Sequence, residues 1–278
     1  EMAFAQVRGV RLHYEVFGDS GPWFALTTGG RRGYDEFAPL ARKIAAEGFR
    51  VLLHDRRNTG ASDLVIEGSD GEEEIWADDL VALLQQQGAT PAFIGGASAG
   101  ARLSVLVYMR HPEVVRALLL MRVTSGEFAA GRLPEQYYGQ FIKAAREGGM
   151  AAVCAHEQYQ ERIAANPQTR ERLMSMDPAR YIEVMTHWLA KFTSGPHSPM
   201  MGVEASVLRG IKVPTLVIPG NDKTHNSAGG KQIHATIPGA ELHLLPIPDL
   251  DVPLVAFTDW APLEPEIAQA CARFMKSH

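Results

Sequence analysis

Residues 92–100 read Ala-Phe-Ile-Gly-Gly-Ala-Ser-Ala-Gly, and a helical pattern follows from Ala101 to Met109. A serine centred in Gly96-Ala97-Ser98-Ala99-Gly100, with an apolar strand before it and a helix after it, demands a sharp strand-to-helix turn. Only small neighbours tolerate that turn, and every residue flanking Ser98 is Gly or Ala. The turn lifts the hydroxyl above the C-terminal edge of a sheet. It also aims the first N–H groups of the helix, and the positive end of its dipole, at any negative charge developing there.

The rest of the chain fits such a sheet. Val10–Phe17 alternates as a strand does. Trp23–Thr28, Arg50–His54, Val115–Val123, Pro214–Pro219 and Glu241–Ile247 are further short apolar runs. Helical spacing over Phe37–Ala46, Glu72–Gln87, Gly230–Thr236 and Glu264–Met275 separates or follows them. Strands alternating with helices imply parallel strands joined by helical crossovers. From residue 125 to residue 207 the strand signals stop and helical ones continue. Met and aromatic residues such as Tyr137, Tyr138, Met150, Tyr159, Met185 and Trp188 are frequent there. They suit the core of a helical subdomain, and some could line an apolar pocket, because Met adapts to irregular shapes. The expected organisation is an α/β core over residues 1–124 and 208–278, interrupted by a helical cap over 125–207.

Composition narrows the function classes. The chain has 278 residues, 46% of them hydrophobic, and a net charge of −5. That is ordinary for a folded chain with a sizeable core and unlike a disordered one. Mild acidity argues against a nucleic-acid footprint, which needs a clustered basic face. No run of about 18 apolar residues is present, so no membrane span is expected. Two distant cysteines, Cys154 and Cys271, make no disulfide framework and no zinc motif. No basic stretch followed by an apolar run opens the chain, and a cytoplasmic location is the expectation.

The chain resembles the α/β-hydrolase fold superfamily. The elbow around Ser98 is one point of likeness. Thr28-Gly29-Gly30-Arg31 resembles the loop that carries an oxyanion-binding N–H after the third strand. Asp55-Arg56-Arg57-Asn58-Thr59-Gly60-Ala61-Ser62 resembles the turn after the fourth strand, and Pro214–Asp222 the strand and turn that present the catalytic acid. The resemblance implies a mostly parallel twisted sheet with helices on both faces, a cap, and a serine nucleophile at Ser98. It also implies an oxyanion hole from the N–H groups of Gly30 and Ala99, and an acid at Asp222.

One part of the pattern is missing. A serine needs a base, because the free hydroxyl is a weak nucleophile. The family places its histidine after the last strand, yet no histidine occurs between His243 and His278. The stretch holds Asp249, Asp251 and Asp259 instead, and Asp259 falls at the histidine position when Trp260–Glu264 is aligned with the family's pattern. His225, in contrast, lies three residues past Asp222 on the acid loop. The expectation is an exchange, with His225 as base and Asp259 (or Asp249 or Asp251) orienting it. A triad is defined by geometry and roles, not by chain order. His54, at the end of the fourth strand, and His187, beside Trp188 in the cap, are the other candidates near a substrate. Arg31 could anchor a carboxylate or enolate through its planar fork.

These readings point to a hydrolase acting on a small ester, lactone or C–C diketone, acidic in some cases, with no cofactor and no metal. The expected partner is a small molecule with an apolar portion, not nucleic acid or membrane; a homo-oligomer is left open. The alternative is a non-hydrolytic member of the fold, either a lyase or a ligand-binding module, motivated by the missing histidine.

Overall fold

The computed structural model describes residues 2–278. Eight strands form one sheet: β1 (Met2–Val7), β2 (Val10–Phe17), β3 (Trp23–Thr27), β4 (Arg50–His54), β5 (Ala92–Ala97), β6 (Val115–Met121), β7 (Thr215–Ile218) and β8 (Glu241–Leu242). Their spatial order is β1-β2-β4-β3-β5-β6-β7-β8, with β2 antiparallel to both its neighbours and β3 to β8 parallel. Strand β1 was not anticipated. It pairs with β2 through a two-residue turn in which Arg8 and Gly9 both have positive φ, 48° and 82°. That is the turn whose twist matches a hairpin. The last strand is shorter than its apolar run because its partner β7 ends at Ile218; the last link is the His243 N–H to the Val217 carbonyl at 3.0 Å.

Helices α1 (Ala38–Ala45) and α11 (Glu264–Lys276) cover one face of the sheet, closing a core around Phe24, Leu53, Phe93 and Ile267. Helices α2 (Glu72–Gln86), α3 (Ala99–Arg110) and α10 (Ser227–Thr236) cover the other, around Trp76, Leu80, Ile94 and Ile233. The crossover from β3 to β4 runs on the α1 side, and that from β4 to β5 on the α2 side. The chain therefore leaves β3 and β5 in opposite directions. A crevice opens at their C-terminal ends, which is where ligands bind in open α/β sheets. The Gly29–Gly33 loop and Ser98 occupy those two ends.

Between β6 and β7 lie six helices: α4 (Glu127–Pro134), α5 (Gln140–Ala155), α6 (Glu157–Ala165), α7 (Gln168–Met174), α8 (Pro178–Thr193) and α9 (Ala205–Arg209). Most of them share a core of their own, around Tyr138, Phe141, Tyr159, Tyr181 and Trp188, which also takes in Leu64, Ile66 and Ile75 from the sheet domain. Trp188 is fully buried there and donates its indole N–H to the Asp70 carbonyl at 3.1 Å. Trp188→Ala should cost about 3–5 kcal/mol, the usual toll for emptying a large aromatic site. Equilibrium urea unfolding would read that loss. A change under 1 kcal/mol would mean that this helical layer is not packed as described. Among the described residues, no helix is long and apolar enough to cross a membrane.

Candidate active site

Ser98 sits between β5 and α3 with φ 57° and ψ −117°, a conformation that L-residues rarely adopt. The turn is held by its own N–H, shared between the carbonyls of Met121 (3.1 Å) and Arg122 (3.0 Å). Its glycines are required by close approach. A Cβ on Gly96 or Gly100 would overlap the Thr27 carbonyl oxygen. A side chain on Gly29 would stand 3.0 Å from Ser98 Cβ, so the loop after β3 lies directly beside the serine. Two residues of the turn after β4 pin that loop. Asp55 accepts the Tyr34 N–H at 2.8 Å, and Arg56 Nη2 donates to the Gly29 carbonyl at 3.3 Å.

The loop after β7 brings the imidazole. His225 Nε2 lies 2.7 Å from Ser98 Oγ. Its Nδ1 lies 3.0 and 3.2 Å from the two carboxylate oxygens of Asp222. Ser98 Oγ also meets Thr124 Oγ1 at 3.2 Å. Asp222 in turn accepts the backbone N–H groups of Thr224 (3.0 Å), His225 (2.8 Å) and Val255 (2.8 Å), and Arg122 Nη2 at 3.3 Å. Burial works against ionisation of Asp222, but the bonds from His225 and from the Val255 and His225 N–H groups outweigh it and hold its pKa down at about 2. For His225 burial wins. Desolvation pushes the imidazole below its usual 6.5, Asp222 pulls it back only in part, and the Arg122 guanidinium pushes it further down.

Asp259 does not meet the His225 ring; Asp222 does. It lies in a short 3-10 turn, Phe257–Leu263, whose buried side chains are Phe257 and Trp260, and its own carboxylate points to solvent. Asp249 and Asp251 are exposed too, accepting from Ser227 Oγ at 2.7 Å and facing Lys223 Nζ at 3.7 Å. The segment where the family keeps its histidine serves the acid through backbone instead. Val255 gives its N–H to Asp222, and its carbonyl accepts from Arg122.

His187 and Trp188 are likewise outside the site. His187 is exposed and 2.6 Å from the Ser69 carbonyl, so the pair ties α8 to the segment before α2. His54 is buried, and burial followed by the nearby Arg56 lowers its pKa to about 4; it is not part of the cavity wall. Arg31 does reach the site. Its Nη2 donates to Tyr138 Oη at 3.0 Å, its Nε lies 3.9 Å from Glu72, and its guanidinium stacks 3.9 Å over the Tyr137 ring.

Ser98 and His225 open into one cavity of about 610 Å³, walled by Gly29–Gly33, Val255–Phe257, α4 and α6. Its lining is more polar than expected. Of the Met and aromatic residues of the insertion, Tyr137 lines it, while Met150, Tyr181 and Met185 are buried in the insertion's own core. Reading the sequence missed Arg122, Thr124, Arg132, Arg162 and Val255 as site residues. Only Arg122 left a trace, as a charge ending the apolar run Leu118-Leu119-Leu120-Met121.

Comparisons with known proteins agree with this architecture. Residues 22–243 match the family model described as alpha/beta hydrolase fold. An uncharacterized hydrolase of Bacillus subtilis is 34% identical over 41% of this chain and 41% of its own length. An sn-1-specific diacylglycerol lipase of Mus musculus is 31% identical over 55% of this chain and 49% of its own. The chain thus spans about half or less of the curated relatives it matches. Among solved structures, an enol-lactonase from Burkholderia xenovorans LB400 superposes with a TM-score of 0.65 at 20% identity, covering 99% of this chain and 100% of that one. The parallel sheet, the elbow at Ser98 and the family match over most of the length lead to one conclusion: the chain belongs to the alpha/beta hydrolase fold family.

Proposed function

We propose that the protein is a serine hydrolase acting on esters or lactones of small carboxylic acids. The observation that carries this reading is the continuous line Ser98 Oγ–His225 Nε2 (2.7 Å) and His225 Nδ1–Asp222 (3.0 Å) at the mouth of a cavity. In the proposed mechanism His225 takes the Ser98 proton as Oγ attacks the substrate carbonyl carbon. Asp222 fixes the ring with Nδ1 protonated, leaving Nε2 free to accept, and stabilises the imidazolium. The N–H groups of Gly30 and Ala99 hold the oxyanion of the tetrahedral intermediate. His225 then gives the proton to the leaving alkoxide, and a water repeats the cycle on the acyl-enzyme. Arg122 positions the acid from behind, and Arg31 forms part of the cavity wall.

The binding-module alternative was motivated by the missing histidine, and an imidazole at hydrogen-bond distance from Ser98 supports catalysis over it. Turnover of 4-nitrophenyl esters by the purified protein tests the reading; no turnover of short-chain esters at any pH would remove its support. The pH profile gives a second check. The base must be neutral, and burial lowers the His225 pKa, so the neutral form persists below the usual range. The kcat/KM should therefore rise with pH through a midpoint under 6.5 and stay flat above it. A midpoint above 6.5 would contradict this environment for His225.

A further inference from the structure

The cavity wall opposite the sheet contains a buried charge with no carboxylate at salt-bridge distance; the buried Glu72, which shares a smaller crevice with it, faces Arg31 and accepts from Asn58 and Tyr138. Arg162, on α6, is only 9% exposed and lines the cavity that holds Ser98. Among the described residues no carboxylate lies within 4.0 Å of its guanidinium, which rests 4.7 Å from the centre of the Tyr159 ring. The other charged groups around the cavity have a carboxylate within 4.0 Å, a hydrogen-bonded partner or contact with water, although Nη1 of Arg31 and of Arg122 is itself without a hydrogen bond. Arg32 pairs with Glu36 at 3.3 Å, Arg122 with Asp222 at 3.3 Å, and Arg31 faces Glu72 at 3.9 Å. Asp55 is spent on Tyr34, Ala61 and His13. Asp35 and Glu161 are exposed, where water screens them. Arg132 also lacks a carboxylate, but it is half-exposed and its Nη1 is bonded to Thr224 Oγ1 at 3.3 Å.

A guanidinium so withdrawn from bulk water is costly unless an anion meets it, and a planar fork meets a carboxylate with two parallel hydrogen bonds. We propose that Arg162 is the anion subsite of this cavity, and that the preferred substrates are esters or lactones carrying a free carboxylate remote from the reacting carbonyl. The carbonyl reaches Ser98 while the carboxylate lies against α6. The sheet domain thus supplies the chemistry and the helical insertion selects for charge. This rests on Ser98 as nucleophile, as proposed above, and goes beyond it by naming what the acyl or alcohol portion must carry.

The test compares mono-4-nitrophenyl glutarate with its methyl ester, which differ in one negative charge. Wild-type protein should favour the anion by about tenfold or more in kcat/KM, the worth of one charge-assisted hydrogen-bond pair in a withdrawn site. Arg162→Met should bring the ratio to about one, and Arg162→Lys should leave it in between, since lysine keeps the charge and loses the fork. A wild-type ratio of one or less overturns the subsite. So does a ratio that survives in Arg162→Met, or one that collapses in Arg132→Met instead. A binding measurement separates this from the hydrolytic reading. By calorimetry, Ser98→Ala should bind monomethyl glutarate about tenfold more tightly than the double variant with Arg162→Met. If wild-type protein cleaves neither ester but this difference holds, the subsite stands and only the hydrolytic reading falls. If binding ignores Arg162, the subsite falls.

Discussion

Ser98→Ala should lower kcat for a 4-nitrophenyl ester by about 10⁴- to 10⁶-fold while leaving the fold and the affinity for substrate nearly intact. The magnitude follows from what the methyl group cannot do. Without Oγ no acyl-enzyme forms, and the remaining rate comes from oxyanion stabilisation and binding alone. Little else is disturbed. Among the described residues, Ser98 Oγ hydrogen-bonds only with His225 and Thr124, and the turn is held by the Ser98 N–H, which alanine keeps. The unfolding midpoint should thus move by less than a degree or two, or upward, since such strained polar sites often cost stability. Steady-state kinetics with a parallel thermal melt would check both. A variant retaining a tenth of wild-type kcat would show that Ser98 does not carry the reaction.

The second large effect falls on the acid loop and spares the C-terminal segment. His225→Ala should cost about as much as loss of the serine, because members of one catalytic unit are not additive. Asp222→Asn should cost about 10⁴-fold in kcat, since an amide facing Nδ1 favours the wrong tautomer. Asp222 is also structural. Three backbone N–H groups and Arg122 converge on it, so Asp222→Asn should lose stability as well, where Ser98→Ala should not. Asp259→Asn should change kcat less than twofold, as expected of an exposed side chain away from the chemistry. Kinetics of the three variants beside one another would settle the assignment. An Asp259→Asn defect larger than that of Asp222→Asn would reverse it.

How far the site could be read from sequence depended on how local each feature is. The elbow at Ser98 is local. Strand, small residues, serine and helix are adjacent in sequence, and the geometry of the turn leaves few other ways to fold them. His225 could be put on a loop facing Ser98 because β7 and β5 end at the same edge of the sheet. Its partner was left between Asp222, which the resemblance implied, and Asp259, which the exchange favoured. Whether Asp222 or Asp259 meets Nδ1 depends on how tightly the loop after β7 curls. That curl is held by the Val255 N–H, from a segment that pairs through backbone and leaves no side-chain signature. Asp259 was attractive because of an alignment register, yet the turn around it buries Phe257 and Trp260 and sends the acid outward. Arg162 was invisible for another reason. On its own helix it looks like any polar-face residue among Glu157, Gln160 and Glu161. Its burial comes from packing of α6 against α5 and α7 within the insertion, contacts between elements that periodicity does not carry. The extra hairpin strand β1 was missed because its large apolar residues, Met2 and Phe4, lie on the exposed side of its alternation and Ala3 and Ala5 on the inner side, so hydropathy does not mark the buried face.

The central claim is that the base for Ser98 comes from the acid loop. Its most direct test is the rate of covalent labelling by a fluorophosphonate, followed by intact-mass spectrometry and peptide mapping, in wild-type protein and in the His225→Ala and Asp259→Ala variants. The account predicts a single adduct on Ser98, formed at wild-type rate in Asp259→Ala and slowed by about 10³-fold or more in His225→Ala. Equal labelling rates in His225→Ala and wild-type protein, or an adduct on any other residue, would contradict it.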